Sequence, residues 1–196
     1  MKNPVPEITP SNLSKIITSG SIDNVTYNSV DAARSAGSVF LNVNHVDNSS
    51  NKDEDGQCSE ACVAMVINYH YHLSLTADDV WSDLEDDSLS SEAPYQALQH
   101  YGYMPTYANT AMSADSVYKT LKNDKPIIAS LKSENPGGHA VVICGITIDG
   151  NFSTYSIDDP NEDKVQSFII NAKPNVVNSS ITYDGTNYVK WYRYAY

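Results

Sequence analysis

From Cys58 to Tyr71 the chain reads CSEACVAMVINYHY, where Ala61, Cys62, Met65, Val66 and Tyr69 recur at steps of three and four. That period predicts a helix with a buried face. Ahead of it, SVFLNVNHV (38–46) alternates apolar and polar positions as a strand does, and DNSSNKDEDG (47–56) is a polar loop ending in Gly56. Thr76, followed by Asp78 and Asp79, marks a second helix start, because a hydroxyl caps unpaired N–H groups and acidic side chains suit the positive end of the helix dipole. SSEAPYQALQHYGY and SADSVYKTLKND repeat that logic with Ser91 and Ser113 as caps.

After Asp124 the period changes to two. KPIIASLK, HAVVICGITI, FSTYSI, VQSFII and NYVKWYRYAY read as strands, with Asp-Gly turns at Asp149 and Asp184. Helices first and antiparallel strands afterwards predict an α+β domain, a helical half packed on a twisted antiparallel β-sheet. Residues 1–37 are polar and rich in Pro, Ser and Asn, and read as a lead-in or a pro-segment able to block a cleft. Residues 38–196 read as the folded domain.

Charge narrows the choice of partner. A formal net charge of -12 argues against nucleic acid and against an anionic membrane surface, since both are bound largely through Lys and Arg. No apolar run approaches the ~20 residues that cross a bilayer. Few basic residues beside abundant Asn, Ser, Thr and Tyr suggest a secreted or cell-surface bacterial protein, although the first twenty residues lack the apolar core of a signal peptide.

Three cysteines cannot complete a disulfide framework, so at least one thiol is expected to be free. Cys58 stands at the start of the buried helix, where unpaired N–H groups favour a thiolate. Cys62, one turn further in, faces the core, and Cys144 lies in an aliphatic run; both read as packing residues. A thiolate nucleophile needs a histidine to pair with it and protonate the leaving group, and that histidine needs an orienting acceptor. His139 opens an apolar strand after two glycines in PGGHAVVICG, and the next strand ends at Asp158 and Asp159 before Pro160. Adjacent antiparallel strands bring one of these carboxylates towards the imidazole.

These stretches carry a resemblance. CSEACVAMVINYH looks like the active-site helix of the papain-like cysteine peptidases that process double-glycine leader peptides of bacteriocins, KPIIASLK and GGHAVVICGI resemble that family's Pro-led and Gly-His strands, and IDDP resembles its Asp-Pro ending. The likeness spans about Val39 to Pro160 in the family's order. It implies a papain-like fold with Cys58 as nucleophile, His139 as general base and Asp159 as its orienter, hydrolysing peptide or protein substrates through a thioacyl-enzyme without metal or organic cofactor. Asp158 is then a solvated turn residue. The family's glutamine upstream of the nucleophile is missing, since positions 51–56 read NKDEDG; Gln57 or His45 stands in for the oxyanion donor. Acyl transfer to an amine would use the same triad, and a non-catalytic binding or adhesion module would need none of it. A streptococcal-pyrogenic type of cysteine protease would move the nucleophile to Cys62.

Other motifs stay structural. His70 and His72 lie two apart, which splays them across a helix rather than onto one metal. NKDEDG opens like a calcium loop, but the position that should supply a bidentate Glu is Cys62. The run DDVWSDLEDD reads as a solvated helix face, and the fourteen tyrosines as core and sheet packing.

Overall fold

The computed structural model describes residues 37–48, 57–86, 94–108, 112–133, 138–149, 152–162, 165–170, 181–183 and 186–195. The expected lead-in (all but Gly37), the cap at Ser91 and the NKDEDG loop lie outside the described residues. Among the described residues are four helices and eight strands. They are α1 (Cys58–Tyr71), α2 (Ala77–Asp86), α3 (Pro94–His100) and α4 (Ala114–Lys122), with β1 (Gly37–Phe40), β2 (Tyr107–Ala108), β3 (Ile127–Ser133), β4 (Gly138–Asp149), β5 (Phe152–Asp158), β6 (Gln166–Ile170), β7 (Ile181–Tyr183) and β8 (Thr186–Ala195). The result is α+β, as the change of hydrophobic period foretells.

Local chemistry accounts for the helix ends. Thr76 and Asp79 cap each other: the Asp79 N–H donates to Thr76 Oγ1 (3.1 Å) and the Thr76 N–H to Asp79 Oδ2 (2.8 Å). Ser113 Oγ accepts from the Ser116 N–H and starts α4. α3 stops in a Schellman turn, with Tyr103 N bonded to Leu98 O, Gly102 N bonded to Gln99 O, and Gly102 in the left-handed region at φ 76. Beyond α1, the Asn68 side chain both donates to Leu75 O and accepts from Leu75 N, closing the loop that leads to α2.

The helix α1 is more enveloped than its periodicity implies. Every residue from Glu60 to Asn68 is buried, because α2 and α3 pack on it from the helical half and β3 and β4 from the sheet. The sheet is antiparallel throughout, ordered β2-β8-β3-β4-β5-β6, with β1 added to β4 and β7 to β8. At its centre, β4 is buried continuously from Ala140 to Ile146, so side chains on both faces are covered.

One strand is shorter than its alternation suggests. β1 pairs with β4 only from Gly37↔Ile148 to Phe40↔Gly145, because β3 takes the same edge of β4 from Ile143 onward. Leu41 N makes a last bond to Cys144 O, and residues 41–48 then leave the sheet. They run to the turn after β5, where Asn48 N donates to Pro160 O (2.7 Å) and Asn48 Nδ2 to Asn161 Oδ1 (2.7 Å). Opposite β1, a register shift between Ile143 and Gly145 kinks the pairing of β4 with β5. Gly145 has no room for a side chain: an added Cβ would lie 2.8 Å from Phe40 Cδ2 and 3.0 Å from Ser156 Cβ.

Candidate active site

Three elements converge on one place. Cys58 is the first residue of α1, His139 the second residue of β4, and Asp159 follows the last residue of β5. The antiparallel register of β4 and β5 sets Asp158 opposite Val142. Because side chains alternate along a strand, Asp159 then falls on the face that His139 shares with Val141. Pro160 ends the strand there, having no N–H for the ladder.

The contacts follow from that register. His139 Nε2 lies 2.9 and 2.8 Å from the two carboxylate oxygens of Asp159, and a carboxylate only accepts, so this nitrogen carries a proton. Asp159, 1 % exposed, is held in turn by the Asn161 N–H, which donates to Oδ1 at 2.8 Å. His139 also hydrogen-bonds the Cys58 side chain, and with Nε2 engaged, Nδ1 is the ring nitrogen left for sulfur. Burial is the strongest influence on the imidazole and pulls its pKa down. The hydrogen bonds and charges of Asp159 and Cys58 together outweigh it, and His139 is pushed up to about 9.

The other cysteines are of a different kind. Cys58 is partly exposed, whereas Cys62 and Cys144 are buried. Burial, reinforced by the charge of Cys58, Asp159, Asp158 and Glu60, drives the Cys62 thiol well above its ordinary value, and burial does the same to Cys144. A nucleophile at Cys62 would have neither access nor a thiolate. Residues 40–190 match the model of the Peptidase_C39 like family. The chain belongs to that family. Its α+β domain is thus of the papain-like cysteine-peptidase type that the helix and strand motifs resemble, and peptidase membership makes it hydrolase-like in kind. None of the curated proteins matches the chain.

Around the Cys58, His139 and Asp159 cluster of this Peptidase_C39 like domain, two sequence expectations change. Asp158 is not a solvated turn residue: it is fully buried, with Oδ1 2.5 Å from His45 Nδ1. The strand alternation that turns Asp159 towards His139 turns Asp158 to the opposite face. His45 has no nitrogen to offer an oxyanion, since Nε2 meets Asp47 Oδ1 at 3.0 Å. Hydrogen bonding to Asp158 is the main cause that pushes His45 up to about 9, against the pull of its partial burial. The signal for this second pair lay in DDP itself, where consecutive carboxylates on a strand must face opposite ways.

Gln57 precedes Cys58 at the helix cap position, is 5 % exposed, and does not cap the helix with its side chain. Its Oε1 is buried without a hydrogen-bond partner. His70 packs against the rings of Tyr69 and Tyr103, and burial lowers its pKa, while His72 closes α1 in the left-handed conformation. Among the described residues no group of three or more His, Cys, Asp or Glu side chains is arranged to hold a metal ion.

Proposed function

We propose that the protein is a cysteine peptidase in which Cys58 is the nucleophile, His139 the general base and acid, and Asp159 the residue that holds the imidazole. The observation that carries this reading is His139 hydrogen-bonded on one side to Asp159 and on the other to Cys58 at the start of α1. Cys58 reacts as the thiolate, paired with the imidazolium of His139. The thiolate attacks the scissile carbonyl of an extended peptide, His139 passes its proton to the leaving amine, and a thioacyl-enzyme remains. Water, deprotonated by His139, then releases the acyl group as a carboxylic acid. No step calls for a metal or organic cofactor.

The negative charge on the tetrahedral oxygen needs donors. We assign the Cys58 backbone N–H, at the free end of α1, and the side-chain Nε2–H of Gln57, the buried residue directly before it. Gln57→Ala is expected to lower kcat on the order of a hundredfold, while alkylation of Cys58, which passes through no oxyanion, continues.

The deciding experiment is the rate of iodoacetamide alkylation against pH, with peptide mapping of the label, for the wild type and His139→Ala. Fast labelling of Cys58 below pH 7 that disappears with His139 is the expected result. Labelling of Cys58 that ignores His139 would sink the reading. Incubation with a mixture of unstructured peptides, followed by mass spectrometry, then separates hydrolysis from transfer: free C-terminal acids mark a peptidase, and ligated products an amide-forming enzyme.

A further inference from the structure

We infer that His45 is a positioning residue that supplies the counter-charge of Asp158 and so keeps a second buried carboxylate from opposing the Cys58–His139 pair. The inference rests on the peptidase reading above. Its starting point is a crowding of negative groups. Asp158 and Asp159 are consecutive and almost wholly buried, and Glu60 in the first turn of α1 is 2 % exposed. A thiolate at Cys58 adds another anion. Asp158 directly precedes Asp159, the carboxylate that holds His139, so its charge sits one residue from the group that orients the imidazole.

His139 cannot neutralise Asp158. It is committed to Asp159 and Cys58, and Asp158 points to the other face of the strand. An unpaired buried carboxylate is costly and, next to a second one, costlier still. Among the described residues the hydrogen-bond partner of Asp158 is His45, at 2.5 Å, and Asp158 Oδ2 has none. Asp47, largely exposed, meets the other nitrogen of His45, so both ring nitrogens donate and the ring is cationic. The titratable groups around this arrangement are Asp158 and Asp159 at the end of β5, Asp47 on the loop of His45, Cys58, Glu60 and Cys62 on α1, and His139 and Cys144 on β4. Of these, only His45 and His139 are cations. One faces each aspartate.

The same loop also ties the Asp159 turn mechanically, through Asn48 to Pro160 and Asn161. Charge and tether are therefore separable. The experiment compares Cys58 alkylation by iodoacetamide at pH 7, together with thermal melting, in the full chain of wild type, His139→Ala, His45→Gln, the double variant His45→Gln/Asp158→Asn, Asp158→Asn and Asn48→Ala. His45→Gln should label Cys58 roughly tenfold more slowly, the order expected of one uncompensated charge in a partly screened interior. The double variant should recover most of that rate, because no carboxylate is left to oppose. Asn48→Ala should melt earlier yet label like the wild type.

Equal labelling of wild type and His45→Gln would overturn the inference, as would a double variant no faster than His45→Gln. If His45→Gln does not fold, the comparison passes to the neutral background: equal rates in Asp158→Asn and the double variant support the counter-charge, and a loss in the double variant overturns it. Failure of the peptidase reading looks different, since wild type and His139→Ala would then label alike.

Discussion

At the scale of single residues, the hydrogen bond from His139 to Asp159 makes a pH prediction with a definite sign. The imidazole is raised from 6.5 to about 9, so the imidazolium persists through neutral pH and is lost as pH rises through about 9. Peptidase activity and Cys58 alkylation should accordingly lose their His139 dependence on the alkaline side of that value. Asp159→Asn removes the leading influence that raises His139, so the alkaline fall in kcat/KM should begin at lower pH, with a plateau about a hundredfold lower. A profile in which the alkaline limb of Asp159→Asn coincides with that of the wild type would count against Asp159 as the group that holds the ring. The meeting of Cys58, His139 and Asp159 was legible in the sequence, because a helix start, a strand start and a strand end are features that local pattern encodes. The partner of Asp158 was not. It lies 113 residues away, on a stretch whose alternation reads as strand but which leaves the sheet after Leu41, and only the folded chain brings His45 to it.

Elements carry these residues, and their packing can be tested apart from the chemistry. Met65 is fully buried in the middle of α1, so Met65→Ala should cost about 2–5 kcal/mol of stability. Gly145→Ala pushes a methyl against Phe40 and Ser156 where β4 meets both β1 and β5, and should cost about 1–3 kcal/mol, read from the urea midpoint. The boundaries of α1, α2, α4 and the long strands were readable from caps and alternation. β1 was read as longer than it is, since nothing in SVFLNVNHV reveals that β3 already occupies the next stretch of the β4 edge. The two-residue β2 and the three-residue β7 are too short to show a period at all.

For the molecule as a whole, two histidines raised to about 9 bind protons more tightly folded than unfolded. Their stabilisation is complete below about pH 6.5 and is lost as pH climbs from there through 9. The midpoint of urea unfolding should fall across that window, more than the slow growth of net negative charge alone would produce, and His45→Gln should flatten part of the fall. The order of the strands bears on how such a protein comes into being. β8, the last in sequence, lies between β2 and β3 inside the sheet, and Cys58 precedes His139 by 81 residues. At ~5–20 residues per second of translation, the thiol is made roughly 4–16 seconds before its imidazole exists. A nascent chain thus carries Cys58 for a time without a partner for its thiol, and the Cys58, His139 and Asp159 cluster can assemble only after β4 and β5 have been made and paired.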